Sequence, residues 1–150
     1  MESFTLKGEN GFIKIDLHHV FDFPNNTCHW GGYDAKVNIE ILSGNFKVNS
    51  SFYTSTGEIF LFYNSLKESN NSLNGQVFYK NYEENTFITL TYDNMGHVVI
   101  EGNFSEENEF SNKLNFEFNS DQSYIKYTIN ELESIVKKYG GMKGLNDENI

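Results

Sequence analysis

Arginine is absent from this chain of 150 residues, and all 11 of its basic residues are lysine. The chain also contains 21 acidic residues, so its net charge is −10 at pH 7. Proteins that bind nucleic acids gain affinity from the opposite sign of charge, because their cations neutralise phosphates. The composition therefore disfavours a nucleic-acid ligand. It favours a basic protein partner, whose approach an acidic surface would accelerate, although negative charge also serves simply to keep a protein soluble.

Cysteine, proline and tryptophan occur once each, as Cys28, Pro24 and Trp30. A single cysteine cannot form an intramolecular disulfide, and an unpaired cysteine fits a reducing compartment. No run of 18 apolar residues is present, which excludes a membrane-spanning helix. The first residues also lack the basic and apolar segments of a signal peptide. We therefore expect a cytoplasmic protein with no membrane partner.

Aromatic residues are abundant, with 14 Phe and 9 Tyr. These side chains bury large areas, so a chain of this length can form a hydrophobic core without disulfides or metals. No low-complexity linker divides the sequence. We expect a single domain over residues 1–141, followed by a loose tail over 142–150.

Eight segments alternate between apolar and polar residues. Between residues 11 and 18, for example, Ile13, Ile15 and Leu17 point one way while Lys14 and Asp16 point the other. Period two with one apolar face indicates an antiparallel sheet covered on one side. The predicted strands are Ser3–Lys7, Gly11–His18, Tyr33–Leu42, Asn45–Tyr53, Gly75–Tyr82, Thr86–Tyr92, His97–Phe104 and Lys113–Asn119.

Two further segments follow the helical period of 3.6. The first comes after the capping-box spacing that begins at Ser55, and the second begins near the N-cap residue Asp121 and ends at Gly140. The apolar stripe of the first is Ile59, Phe62, Tyr63 and Leu66, and that of the second is Ile125, Ile129, Leu132, Val136 and Tyr139. The sequence thus predicts an α+β fold, with a largely antiparallel sheet of about eight strands and two amphipathic helices. The order of elements is consistent with two ββββα halves.

Motifs that carry known chemistry are missing. The four histidines, His18, His19, His29 and His97, form no zinc-binding pattern, and there is no phosphate-binding loop or nucleophile elbow. Cys28 and His29 are adjacent, and neighbouring side chains on an extended segment diverge, which disfavours a nucleophile and base pair. We expect no catalytic residues, no metal site and no cofactor.

The segment 23–34 is long for a connection between two strands, and long ordered loops are often functional. It contains Trp30 and Tyr33, and these residue types contribute much of the binding energy in protein interfaces. One interpretation is that both side chains are exposed anchors for a partner. The alternative is that Trp30 folds back over the open end of the core.

Acidic residues are concentrated between residues 101 and 121. The six acids there are Glu101, Glu106, Glu107, Glu109, Glu117 and Asp121, against the single cation Lys113. Alternation places Glu101 and Glu117 on the outer face of the sheet, and the loop acids surround Phe110. The spacing does not match a calcium loop, and no cleft for a sugar is evident. The segment is either a solvated acidic loop or a recognition patch for a basic protein.

Five short segments carry a resemblance to a known family, and they lie in the same order along the chain. They are Leu6-Lys7-Gly8-Glu9-Asn10-Gly11, Trp30-Gly31-Gly32-Tyr33-Asp34, Tyr53-Thr54-Ser55-Thr56-Gly57-Glu58, Gly96-His97-Val98 and Asp121-Gln122-Ser123-Tyr124. Together they make the chain resemble the WapI-type immunity proteins of bacterial WapA/Rhs polymorphic-toxin systems, over nearly its full length.

The resemblance implies a cytoplasmic antidote that binds the C-terminal toxic domain of a secreted protein, which in one branch is a nuclease that attacks transfer RNA. The expected partner is a basic toxin domain of a WapA/Rhs-like protein. A different class of function stays open, namely a small-molecule-binding or enzymatic α+β domain. Such a domain would have an aromatic-lined pocket reached by His29 or His97, with a strongly perturbed histidine or glutamate inside it.

Overall fold

The computed structural model describes residues 2–106 and 111–145. Two groups of four strands are each followed by a helix. The elements are β1 (Ser3–Gly8), β2 (Gly11–Val20), β3 (Asp34–Ser43), β4 (Phe46–Ser55), α1 (Thr56–Ser72), β5 (Gln76–Lys80), β6 (Thr86–Tyr92), β7 (His97–Ser105), β8 (Lys113–Asp121) and α2 (Gln122–Tyr139).

The strands form two antiparallel sheets, each with its strands in chain order. The first sheet contains β1–β4 and the second contains β5–β8. Four of the six connections within the sheets are turns of two to five residues, which favour pairing of a strand with its predecessor, whereas β2–β3 and β7–β8 are joined by longer segments. The predicted α+β fold of two ββββα halves is confirmed, and its eight strands are divided between two sheets.

The inner faces of the two sheets share one core that also includes residues from both helices. Phe62 of α1 lies between the sheets, with its ring centroid 6.1 Å from Phe4 of β1 and 5.5 Å from Tyr79 of β5. Phe52 of β4 lies 6.3 Å from Phe104 of β7. Alternation therefore leaves the opposite face of each sheet for solvent or a partner.

Both helices begin at side chains that cap the first turn. Ser55 accepts a hydrogen bond from the backbone of Glu58, whose carboxylate in turn accepts one from the Ser55 backbone, so the predicted capping box is present. Asp121 accepts from the backbone N–H groups of Ser123 and Tyr124. Each helix therefore starts directly at the end of the last strand of its half.

Each helix packs beside the first strand of the other half, with α1 against β5 and α2 against β1. The Thr128 hydroxyl of α2 donates to the Thr5 carbonyl at 2.6 Å, and the Thr5 N–H donates to the Glu131 carboxylate at 3.1 Å. The edge of β1 also meets β8, where Glu9 N–H donates to the Asn119 carbonyl at 2.7 Å. These contacts fasten the two halves together.

The chain beyond α2 returns to the loop that precedes β3. Gly32 N–H donates to the Met142 carbonyl at 2.8 Å, and Leu145 N–H donates to the Tyr33 hydroxyl at 3.1 Å. The tail expected from Met142 is therefore attached to the domain as far as Leu145, because its backbone groups bond to the loop. Residues 146–150 lie outside the described part of the chain.

In the part of the chain that the structure describes, neither helix combines the length and the apolar character that crossing a membrane requires.

Candidate functional site

The outer face of the second sheet is the surface on which the predicted acidic residues of β7 and β8 lie. Cross-strand pairing places Phe78, Thr89, Glu101 and Glu117 in one row across the four strands. Phe78, Glu101 and Glu117 are exposed, whereas neighbours in sequence such as Val77, Ile100 and Phe116 are buried. We refer to this surface, made of the outward side chains of β5–β8, as the acidic-aromatic face.

Two phenylalanines form the aromatic part of this face. The rings of Phe78 and Phe87 are stacked, with centroids 5.8 Å apart and planes at 26°. Phe78 is 52% exposed and Phe87 is 38% exposed. Two stacked aromatic rings in solvent form a ready apolar contact for a partner.

Sequence reasoning did not single out Phe78 and Phe87, although a signal was available. Val77 and Tyr79 flank Phe78 and are buried, as is Ile88 next to Phe87. Strict alternation within the two predicted strands therefore places both phenylalanines on the outer face. Their proximity depends on the register between β5 and β6, which the sequence does not state.

Two carboxylates form the acidic part of the face. Glu101 of β7 and Glu117 of β8 are directly opposite each other in the sheet, and both are exposed. None of the ion pairs among the described residues involves either side chain. Lys80, a cation at the border of this face, is engaged by Glu84 at 2.7 Å. Like charges directly opposite each other destabilise a sheet, so this pair costs stability that a cationic partner would recover.

The remaining predicted acids are placed differently. The Glu106 carboxylate, just after β7, accepts a hydrogen bond from the Asn112 amide at 3.1 Å. Asp121 lies at the far end of β8, about 13 Å along the strand from Glu117 at 3.3 Å per residue. Its carboxylate caps α2, so it has a role in the fold. The predicted contacts Glu107, Glu109 and Phe110 lie outside the described residues.

Trp30 lies on the surface and does not fold over the core. Its side chain is 47% exposed, and its ring stacks on Tyr82 with a centroid distance of 5.0 Å and an interplanar angle of 2°. The Tyr82 hydroxyl donates to the Asp34 carboxylate at 2.7 Å. Burial, together with that carboxylate, raises the pKa of Tyr82 well above its usual range, so the hydroxyl keeps its proton.

The expectation that Tyr33 is an exposed anchor is wrong. Its side chain is fully buried, its hydroxyl donates to the Pro24 carbonyl at 3.1 Å, and its ring packs edge-on against Phe23. The reason is alternation, since Tyr33 shares the inward direction of Ala35 and Val37. Tyr33 is a core residue that supports the loop.

The cysteine and histidine of the loop do not form a reactive pair. The Cys28 thiol lies 3.6 Å from the Gly31 carbonyl, while the His29 ring packs edge-on against Trp30. Burial raises the pKa of the Cys28 thiol, which disfavours the nucleophilic thiolate. Within the described residues, no group of three or more His, Cys, Asp or Glu side chains could hold a metal ion.

Four glutamates among the described residues have shifted pKa values. Lysines at the surface lower the pKa of Glu84 and of Glu133, and the shifts of the other two also have structural explanations. Burial raises the pKa of Glu58, whose carboxylate accepts hydrogen bonds from the Thr54 hydroxyl and from the Ser55 backbone in the capping box. Hydrogen bonds from Lys138 and Tyr139 lower the pKa of Glu2 to about 2. The pKa shifts of Glu58 and Glu2 are therefore explained without a bound ligand.

A surface groove of about 530 Å³ lies between β1 and α2. Its lining residues are Thr5, Lys7, Tyr124, Tyr127, Asn130 and Glu131. His29 and His97 do not line it and are both exposed, and the His97 ring is 2.9 Å from the Asp93 carboxylate. The groove therefore lacks the histidines that the enzymatic alternative expects.

Comparison with known proteins identifies a family for the chain as a whole. No curated protein matches the chain significantly. The model of the immunity protein WapI-like family matches residues 4–140, from the second residue of β1 to the first residue after α2. A match over this length shows that the chain belongs to the immunity protein WapI-like family.

Proposed function

We propose that this chain is an immunity protein that binds the C-terminal toxic domain of a cognate contact-dependent toxin of the WapA/Rhs type. Binding takes place in the cytoplasm and occludes the active site of the toxic domain, which is a nuclease. The observation that carries the proposal is the acidic-aromatic face, where Glu101 and Glu117 lie unneutralised beside the stacked Phe78 and Phe87.

The charge of the face fits a nuclease as the partner. A nuclease holds its phosphate substrate with lysine and arginine, so its active site presents cations that an acidic protein can cover. Glu101, Glu117 and Glu106, with Glu107 and Glu109 next to Glu106 in the sequence, supply carboxylates for that contact. Such complementarity accelerates association, and the acceleration falls as salt screens the charges.

The aromatic pair fits a long-lived complex. Phe78 and Phe87 present apolar area that is already ordered by stacking, so little conformational entropy is lost when a partner covers them. Apolar contacts at the centre of an interface mainly set the dissociation rate. On this face, the carboxylates therefore accelerate association and the aromatic rings slow dissociation.

The action we propose is stoichiometric. Among the described residues, the Cys28 thiol contacts the Gly31 carbonyl and no histidine, and its raised pKa keeps it protonated. Inhibition by covering an active site needs no chemistry from the inhibitor.

The experiment is a titration of the nuclease activity of the cognate toxic domain with this protein. We expect nuclease activity to fall to zero at a one-to-one ratio, and the association rate constant to drop about tenfold or more between low and high salt. The absence of a complex, inhibition only at a large excess, or a salt-independent association rate would contradict the proposal.

A further inference from the structure

Trp30 combines exposure with a fixed position. Nearly half of its surface is open to solvent, yet one face of the indole lies parallel to the Tyr82 ring at 5.0 Å. An exposed side chain normally samples several rotamers, and a partner must pay the entropy of selecting one of them. The stack on Tyr82 removes much of that freedom before any partner arrives.

Tyr82 is itself held in place. Its hydroxyl donates to the Asp34 carboxylate at 2.7 Å, and Asp34 is the first residue of β3. The Asp34 carbonyl accepts a hydrogen bond from Phe21 N–H at 2.8 Å, which closes the base of the loop. The indole therefore rests on a ring that is tied to a strand of the first sheet.

The backbone on either side of the indole is clamped onto the start of α1. The Ser55 hydroxyl donates to the Trp30 carbonyl at 3.4 Å, and Gly57 N–H donates to the Gly31 carbonyl at 3.1 Å. A Cβ at Gly57 would lie 2.4 Å from the Gly31 carbonyl carbon, so only glycine allows the loop to approach the helix this closely. The position of Trp30 is thus fixed from the backbone as well as from its ring.

The surroundings of the indole favour a cation. The Tyr82 ring beneath the indole interacts electrostatically with the carboxylates of Asp34 and Glu58. The π face of an indole attracts an ammonium or a guanidinium group, and nearby carboxylates add to that attraction. An apolar side chain of the partner would lack this electrostatic attraction and would be held only by burial of apolar surface.

We propose that Trp30 is a preorganised anchor for an arginine or lysine side chain of the toxic domain, and that Tyr82 and Asp34 are its positioning residues. This inference rests on the proposed function, because it names the group on the partner that the loop receives. It extends the contact surface from the acidic-aromatic face to the loop that precedes β3.

Because Trp30 is the only tryptophan, its fluorescence reports on this position alone. We expect the time-resolved anisotropy of the free protein to decay mainly with overall tumbling. Tyr82→Leu, which removes the stacking ring, should add a fast component, while Tyr82→Phe should add little because it keeps the ring. Fast indole motion in the unsubstituted protein, or no change in Tyr82→Leu, would overturn the positioning role.

Binding to the toxic domain tests the identity of the partner group. We expect Trp30→Leu to weaken binding about tenfold or more, and Trp30→Phe to weaken it about threefold, because phenylalanine keeps a π face. Equal losses in the two variants would exclude a cationic partner, and no loss in either would exclude the anchor. If the unsubstituted protein fails to bind, the proposed function and the partner assignment fall together, and anisotropy still decides the role of Tyr82.

Discussion

The two sheets have the same four-stranded antiparallel frame, but the charges on their outer faces are balanced differently. On the first sheet, Lys14 lies opposite Glu40 and 3.9 Å from Asp16. On the second sheet, the corresponding cross-strand pair is Glu101 and Glu117, two like charges. At these positions the first sheet therefore places opposite charges in register, whereas the second places like charges in register.

Under the proposed function, the difference points to the second sheet as the surface that binds a partner. A face with opposite charges in register gains a little stability and little affinity for other proteins. A face with paired carboxylates and exposed stacked rings is less stable alone and gains when a basic, partly apolar surface covers it. We infer that the first sheet mainly serves the fold, whereas the second also serves binding.

The largest effect should follow from removal of the aromatic pair. We expect Phe78→Ala/Phe87→Ala to raise the dissociation rate of the toxin complex by about 30-fold or more, as for loss of an interface hot spot. Phe46→Ala is the control, because Phe46 is 66% exposed at the tip of the β3–β4 hairpin and should leave the rate unchanged. Surface plasmon resonance measures both, and equal effects would remove the distinction between the sheets.

The next largest effect, on the free energy of unfolding, should come from the contact between β1 and β8. A Cβ at Gly8 would lie 2.1 Å from the Asn119 carbonyl oxygen, so Gly8→Ala must push β1 away from β8. We expect a loss of about 3 kcal/mol in the free energy of unfolding, the size of an overpacked core substitution. Gly44→Ala, in open space with φ of +59°, should cost about 1 kcal/mol. Urea denaturation distinguishes the two values, and a tolerated Gly8→Ala would contradict the close approach.

Substitutions at the helix caps test whether the two halves gain similar stability from the starts of their helices. We expect Ser55→Ala and Asp121→Ala each to lower the free energy of unfolding by about 1 kcal/mol, because each leaves N–H groups of a first helical turn without an acceptor. Asp121→Ala should leave toxin binding unchanged when measured on the folded protein. A large loss of affinity in this variant would place Asp121 in the interface after all.

The smallest effect concerns Glu2, which ties the start of the chain to α2. Its pKa of about 2 lies below the ordinary value of 4.5, so its contribution to stability is present above pH 4.5 and is lost as the pH falls toward 2. We expect Glu2→Gln to lower the free energy of unfolding by less than about 1 kcal/mol at pH 7. Denaturation between pH 7 and pH 2 should show this gap closing, whereas a gap independent of pH would exclude the ion pair as its cause.

Most of the fold could be predicted from the sequence, because alternation and helical periodicity are local signals. The predicted strand Gly11–His18 and the predicted cap Ser55 agree closely with the structure. The division into two sheets could not be predicted in the same way. It depends on which strand edges the helices cover, and the contact of Thr128 with Thr5 joins residues 123 positions apart.

The candidate site was predicted only in part. Alternation correctly placed Glu101 and Glu117 on the outer face, but their direct opposition depends on the register of β7 and β8. The stack of Trp30 on Tyr82 joins a loop to the turn after β5, and no local sequence pattern predicts such a contact. Residues brought together by tertiary packing leave no periodic signal in the sequence.

A pair of double variants with the same net charge tests the central claim most directly. Glu101→Gln/Glu117→Gln and Asn38→Lys/Ser51→Lys each raise the net charge by two, the first on the second sheet and the second on an exposed cross-strand pair of the first. We predict that the first variant slows association with the toxic domain about tenfold at low salt, while the second slows it no more than about twofold. Equal slowing would mean that only the total charge matters, and would contradict a binding role for the acidic-aromatic face.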